Sequence, residues 1–333
     1  MRAVMVTAVA INSHGGITVS ESVVIDGHED NLPRVVTHAH SDHTKYLSRS
    51  SRNSPMIIGT PITLEWLKIL GFKLSDSVLQ PINYGEVLRL PSGTLRLEKA
   101  LHIPGTAQVV FDSDEGWRAV YTSDFKKPGS HTPVISSDVL IIDAVYGNPE
   151  FRRDFDDYIE IVLVDLVKEL LASGSVYIHG YHGKNQEVMM LLRSEGIDAP
   201  FILDHKQYAL TRAMEHHGLR VRDYHHVGTE EADEIMRDGW FVYFTHFFRR
   251  VECDGFGTHV KLSGWEFKKP MRQLGRRWWL VAFSDHSDFQ GLVDYVRLSR
   301  PKEVIVNCKR STDGYLFAKY VEKKLGVKTY LLP

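Results

Sequence analysis

His38-Ala39-His40-Ser41-Asp42-His43 places four side chains that can bind a metal within six positions. Imidazole and carboxylate together suit Zn²⁺, Mn²⁺ or Fe²⁺. The stretch follows Val35-Val36-Thr37, which reads as a buried strand opening into a loop. In an extended chain alternate residues point the same way, so His38 and His40 can grip one ion. Asp42 and His43 then face a second ion nearby. The bland alternative is a polar loop whose histidines cap helices or face water, but these identities at this spacing are a poor product of chance.

The elements that must carry this loop are visible in the residue pattern. Val4 to Ile11 and Ile17 to Ile25 are β-rich and flank the turn Asn12-Ser13-His14-Gly15-Gly16. Pro61 to Leu70 has helical spacing and ends at Gly71. Strands are expected at Leu95 to Leu97, Gln108 to Phe111, Arg118 to Thr122 and Val139 to Asp143. From Phe155 the character changes. Helices at Phe155 to Ala172, Asn185 to Ser194 and Lys206 to His217 alternate with strands at Val176 to His179 and Phe201 to Leu203. That alternation predicts a small α/β unit with parallel strands. Further strands are expected at Trp240 to Thr245 and Trp278 to Phe283, and Val293 to Pro333 reads helix, strand, helix, strand. No Gly/Ser linker interrupts the chain, so a second domain is expected to be inserted rather than strung on.

Composition bounds the rest. The 333 residues are 43% hydrophobic and 25% charged, as in a globular protein of one large or two moderate domains. No apolar run reaches the ~20 residues of a membrane span. The N-terminal stretch alternates like a strand and has no cleavage region of the kind found in a leader. Cys253 and Cys308 are too few for a disulfide framework, which makes the cytoplasm the expected compartment. The net charge of −2 lacks the basic excess of a typical nucleic-acid binder, although a local basic stripe can suffice.

The pattern at 38–43 is similar to the HxHxDH signature of the metallo-β-lactamase superfamily, and the chain resembles that superfamily from end to end. The superfamily asks for a later His and a later bridging Asp. Leu101-His102-Ile103-Pro104-Gly105-Thr106 resembles the first and Tyr121-Thr122-Ser123-Asp124-Phe125 the second. The resemblance therefore implies that His38, His40 and His102 hold one metal, that Asp42 and His43 hold the other, and that Asp124 bridges. Three later segments resemble the β-CASP nucleases: Ile141 to Pro149 with Asp143, Phe283 to Phe289 with His286, and Pro301 to Cys308. At the third position RNA-processing members carry His and Artemis-like DNA members carry Val. Cys308 departs from both, and is either a thiolate ligand that completes the second metal or a small packing residue. Gly183-Lys184-Asn185-Gln186-Glu187 resembles the G-K/R-x-Q-E turn of the cap. Ser263-Gly264-Trp265 with its following basic stretch is most similar to the ligase-associated DNA exonucleases.

The implied fold is α/β: a metallo-β-lactamase αββα sandwich from 1–146 and 281–333, with an α/β β-CASP cap inserted at 147–280. The implied activity is a metal-dependent nuclease, a single-strand DNA exonuclease ahead of an RNA-processing ribonuclease, using two zinc ions or manganese. Water activated between the two cations would attack phosphorus. Asp42, Asp143 and His286 are the catalytic candidates, with His286 protonating the leaving oxygen and Asp143 orienting it. Lys184, at a helix start, would bind a terminal phosphate of the strand. The partner is single-stranded DNA or RNA rather than a membrane. An ester or thioester hydrolase on the same site is the alternative from another class. Phe247-Phe248 with Arg249-Arg250, and Trp278-Trp279 with Arg276-Arg277, resemble stacking aromatics with phosphate-binding arginines, though such aromatics are more often core.

Overall fold

A computed structural model describes residues 8–249 and 257–332. Residues 4–7 of the expected first strand, Arg250 and Cys253 lie outside the described residues. The chain forms two units, one running to Arg152 and resuming at His286, the other Arg153–Asp285. The described helices are α1 (Leu47–Asn53), α2 (Pro61–Ile69), α3 (Ile159–Leu171), α4 (Lys184–Ser194), α5 (His205–His216), α6 (Glu230–Asp238), α7 (Phe289–Ser299) and α8 (Gly314–Tyr320). None is long and apolar enough to cross a membrane.

The first unit holds two sheets. One runs in order β1 (Val9–Ile11), β2 (Ile17–Val19), β3 (Val23–Ile25), β4 (Arg34–Val35), β5 (Ile57–Gly59) and β6 (Leu79–Pro81). The expected single strand Ile17 to Ile25 is instead β2 and β3 paired antiparallel. Ser20 and Glu21 adopt φ of 49° and 50° and reverse the chain, a turn that β-rich composition conceals. The other sheet contains β7 (Val87–Leu90), β8 (Gly93–Lys99), β9 (Ala107–Ser113), β10 (Arg118–Tyr121), β11 (Val139–Ile142), β19 (Glu303–Asn307) and β20 (Lys328–Leu332). Their spatial order is β20-β19-β11-β10-β9-β8-β7.

The two-residue period of the central strands builds two cores at once. Val109, Phe111, Ala119, Tyr121, Val139, Ile141 and Ile305 pack against Ile17, Ile25, Val35 and Ile58 of the first sheet. The intervening Val110, Val120, Leu140, Ile142, Val304 and Val306 pack against Phe289, Val293 and Val296 of α7 and Phe317 of α8. Buried on both faces, these strands read as unbroken apolar runs, and that made them recognisable in the sequence.

The second unit is one sheet ordered β14-β13-β15-β12-β16-β18-β17, from β12 (Val176–Gly180), β13 (Phe201–Leu203), β14 (Tyr224–His226), β15 (Val242–His246), β16 (Thr258–Leu262), β17 (Met271–Gly275) and β18 (Trp278–Val281). All its pairings are parallel except β17 on β18. The parallel α/β alternation expected for this region is therefore present. Helix α3 begins at Ile159 rather than Phe155 and buries Leu163, Val164, Leu166, Val167 and Leu171 as one stripe.

Candidate metal centre

Every side chain of interest in the first unit leaves the carboxyl end of a strand. Asp26 follows β3, His38 to His43 follow β4, His102 follows β8, Asp124 follows β10 and Asp143 follows β11. Parallel α/β sheets offer their ligand sites at such ends. The His102 loop is pinned by hydroxyls. Thr60 Oγ1 and Thr63 Oγ1 donate to the Gly105 carbonyl at 2.8 and 3.0 Å. Gly105 has φ of 87°, and a Cβ there would meet Ile62 Cγ2 at 2.4 Å, so glycine is required at this crossing.

Two groups of donor atoms that share Asp124 converge within the first unit. His38, His40, His102 and Asp124 form one, Asp42, His43 and Asp124 the other, each with its atoms within 4.8 Å of one another. His38 Nε2 and His43 Nε2 lie 3.4 and 3.3 Å from Asp124 Oδ2. His102 Nε2 lies 3.6 Å from the same oxygen, and His43 Nε2 is 3.3 Å from Asp42 Oδ2. The Nε2 atoms of His38 and His43 and Oδ1 of Asp124 are buried and make no hydrogen bond among the described residues. Buried polar atoms left this way are costly unless something else satisfies them. The donor set, mixed imidazole and carboxylate, fits divalent metal ions.

A hydrogen-bond network orients the imidazoles. His43 Nδ1 sits 2.7 Å from Asp26 Oδ2 and donates to it. Thr37 Oγ1 also donates to Asp26 Oδ2 at 2.5 Å, and Ser123 Oγ donates to Thr37 Oγ1 at 2.7 Å. Each hydroxyl has one hydrogen, and both are now used. His38 Nδ1, 3.2 Å from Thr37 Oγ1 and 3.3 Å from Ser123 Oγ, must therefore be the donor. Both rings are thus held through Nδ1 with Nε2 facing Asp124, the orientation a metal ligand needs. Asp26 and Ser123 adopt left-handed φ of 50° and 53°, a conformation that non-glycine residues rarely take outside constrained sites.

The charges are shaped by the same packing. Burial, with His43 close by, holds His38 well below its ordinary pKa, so its lone pair is available. Burial would lower His43 too, but Asp42, Asp124 and Asp26 carry it well above. The negative field that draws a proton to His43 would equally draw a metal cation. Against the burial cost, His286 and His43 keep the Asp124 carboxyl well below the usual carboxylate range.

Asp26, Thr37 and Ser123 went unrecognised as site residues in the sequence, because an Asp after a strand looks like any turn former. Asp26→Asn is expected to weaken metal binding roughly 10- to 100-fold, as losses of such supporting carboxylates do. Competition with a chelating dye measures this, and unchanged affinity would reduce Asp26 to a folding role.

Asp143 is not where the expected acid pair would have it. Its Oδ2 accepts from the Tyr121 hydroxyl and its Oδ1 from Asn307 Nδ2 at 2.8 Å. It makes no hydrogen bond or ion pair to His286 among the described residues. Burial pushes its pKa up to about 6, with Arg310 and His43 opposing. His286 instead presents Nδ1 3.7 Å from Asp124 Oδ1, with its ring 4.7 Å from that of His102. Arg310, also unforeseen, donates to the Asp26 carbonyl and at 3.3 Å to that of Asp42, tying the loops together.

Cys308 joins neither group. It is exposed just beyond β19, with Sγ 3.9 Å from the Val306 carbonyl, so it is not a buried packing residue either. Cys308→Val is expected to leave metal content unchanged and folding stability within about 0.5 kcal/mol, as at ordinary surface positions. A lost metal equivalent would restore the thiolate as a ligand.

In the second unit, Gly183 at φ 88° precedes α4 and its N–H donates to Gln186 Oε1 at 2.7 Å. Lys184 is buried, and its Nζ lies 3.3 Å from the buried Asp285 Oδ1. Its charge is already matched, which removes the free cation expected for a terminal phosphate. Breaking such a pair from one side costs about 3–5 kcal/mol. Lys184→Ala should therefore lower the melting temperature and affect 5′-phosphorylated and 5′-hydroxyl strands alike. A loss confined to phosphorylated strands would revive the phosphate reading. Of the aromatic candidates, Phe248 is 72% exposed. Phe247 stacks on Tyr181 at 5.5 Å and Trp278 on His259 at 3.9 Å, so these two are half-buried rather than core.

No protein-family model matches the chain. Over 138 residues it is 43% identical to an uncharacterized protein in the lig 3′ region of Acidianus ambivalens, 41% of this chain and 99% of that one. Over 293 residues it is 25% identical to "Probable DNA ligase" of Opitutus terrae, 84% of this chain but 27% of that protein. Over 147 residues it is 27% identical to "Probable RNase MJ4" of Methanocaldococcus jannaschii, 40% of this chain and 33% of that protein. The chain thus spans about a quarter to a third of the length of the latter two.

Proposed function

Because the chain belongs to the β-CASP metallo-β-lactamase nuclease family, we propose that it is a metal-dependent nuclease that removes nucleotides from single-stranded DNA. The observation that carries this reading is the pair of His/Asp groups sharing Asp124. In this reading the first unit is the αββα metal-binding domain and Arg153–Asp285 is the inserted cap. DNA is put ahead of RNA because the match to the ligase covers 84% of this chain and that to the RNase 40%.

His38, His40 and His102 would hold one ion, Asp42 and His43 the other, and Asp124 both. Zinc suits the imidazole-rich set best, with manganese as the alternative. Two such cations supply, when bound, a nucleophile from water near neutral pH and compensation for charge on the phosphoryl oxygens. Asp26, Thr37 and Ser123 keep the imidazoles in their ligating orientation. Arg310 holds the Asp26 and Asp42 loops in register through their carbonyls. His286 lies beside Asp124 and gives the leaving oxygen its proton.

End-labelled DNA and RNA strands incubated with Zn²⁺ or Mn²⁺ test the substrate. Mononucleotides released from DNA are expected. A preference for RNA would select the ribonuclease alternative, and internal fragments would replace exonuclease with endonuclease action.

A further inference from the structure

The edge of the second-unit sheet carries a concentration of positive charge that the metal centre does not use. Strand β17 is the last in the order, and every one of its residues is exposed. It pairs with β18 through the turn at Arg276-Arg277, with an irregularity between Gln273 and Gly275. Lys268, Lys269, Arg272, Arg276 and Arg277 fall within this hairpin and its approach, against the single acid Glu266. Glu266 is committed to Arg272 at 3.0 Å. Lys268, Lys269 and Arg276 are exposed and have no side-chain partner among the described residues. The whole chain carries a formal charge of −2, so this patch runs against the balance of the molecule. Trp265, three residues before Lys268, is 58% exposed.

Resting on the nuclease reading above, we infer that the β17–β18 hairpin is a docking surface for the phosphodiester backbone of a nucleic-acid strand. Unmatched cations at the two ends of β17 complement the spaced charges of a strand and release its counterions on contact. An edge strand also gains from charge as protection against pairing with another sheet. That need alone would be met by charges on β17, whereas Lys268, Lys269 and Arg276 all lie outside it.

The test is the salt dependence of binding to a phosphorothioate poly-dT strand, which resists cutting, by the metal-loaded protein. The variant is Lys268→Gln with Lys269→Gln and Arg276→Gln. Its control is Lys319→Gln with Lys323→Gln and Lys324→Gln, which changes net charge equally. Loss of three contacts should lower the slope of log K against log salt by about 2, and affinity at 0.1 M salt on the order of 10²-fold. The control should stay within a factor of about 3, because distant charges are screened. Equal melting temperatures exclude unfolding as the cause. An unchanged slope, an equal effect in both variants, or no binding by the unaltered protein would overturn the inference. So would a loss of binding to anionic lipid vesicles but not to the strand, or aggregation of the variant without a change in slope. Cutting of an ordinary strand is scored separately. If the unaltered protein binds through the hairpin but cuts nothing, the nuclease reading fails and the docking surface stands.

Discussion

Asp124→Ala is expected to remove both metal ions and to reduce strand cutting roughly 10³-fold or more. Asp124 is the one residue common to both donor groups. His38, His43 and His102 all face its Oδ2 within 3.6 Å. Losing a Lewis acid costs several kcal/mol of transition-state stabilisation, and each 1.36 kcal/mol is tenfold in rate. Asp42→Ala should behave differently, since Asp42 belongs to the second group alone and its side chain is half exposed. It should lower the metal content by one equivalent and leave the first site filled. Elemental analysis of the two purified variants separates these outcomes. Equal losses would mean that the groups are one site, and full retention in Asp124→Ala would remove the shared carboxylate from the account.

His286→Ala is expected to keep the metal content and lower turnover by roughly 10²–10⁴, the range for a lost general acid. The geometry puts Nδ1 3.7 Å from Asp124 Oδ1 and leaves the side chain 20% exposed, able to meet a substrate atom. A structural role would depress all substrates equally. An acid matters only while the leaving oxygen needs a proton. The deficit should therefore shrink on a nitrophenyl ester of a nucleotide, whose leaving group departs unprotonated. A deficit that stays constant, or one accompanied by metal loss, would make His286 a scaffold or a ligand. Because Asp143 contacts Tyr121 and Asn307 instead, Asp143→Asn should spare this leaving-group dependence.

The parts of the site legible in the sequence were those with a local signal. His38 to His43 lie within six positions on one loop, and their types name their chemistry. His102 and Asp124 were legible only through resemblance, because their own neighbourhoods resemble ordinary turns. Partners joined across the fold were not legible. Asp26 reaches His43 across 17 positions and Ser123 reaches His38 across 85. Asp143 illustrates the limit from the other side: its motif singles it out, but the contact expected of it goes to different neighbours. The fold follows the same rule. Strands β9, β10, β11 and β19, apolar on both faces, were recognisable. Strand β17, exposed along its whole length, has no hydrophobic alternation to betray it.

In the proposed reaction, phosphodiester cleavage depends on the shared metal centre. Zinc or manganese titrated into metal-stripped protein, with single-strand DNA cutting followed at each step, measures it directly. Cutting should be absent at the start and should rise until about two equivalents are bound, the number of ions such shared-carboxylate sites hold. Asp124→Ala should remain flat throughout. Cutting that persists in the stripped protein, or a titration that fills the site and yields thioester hydrolysis but no cut DNA, would contradict the account.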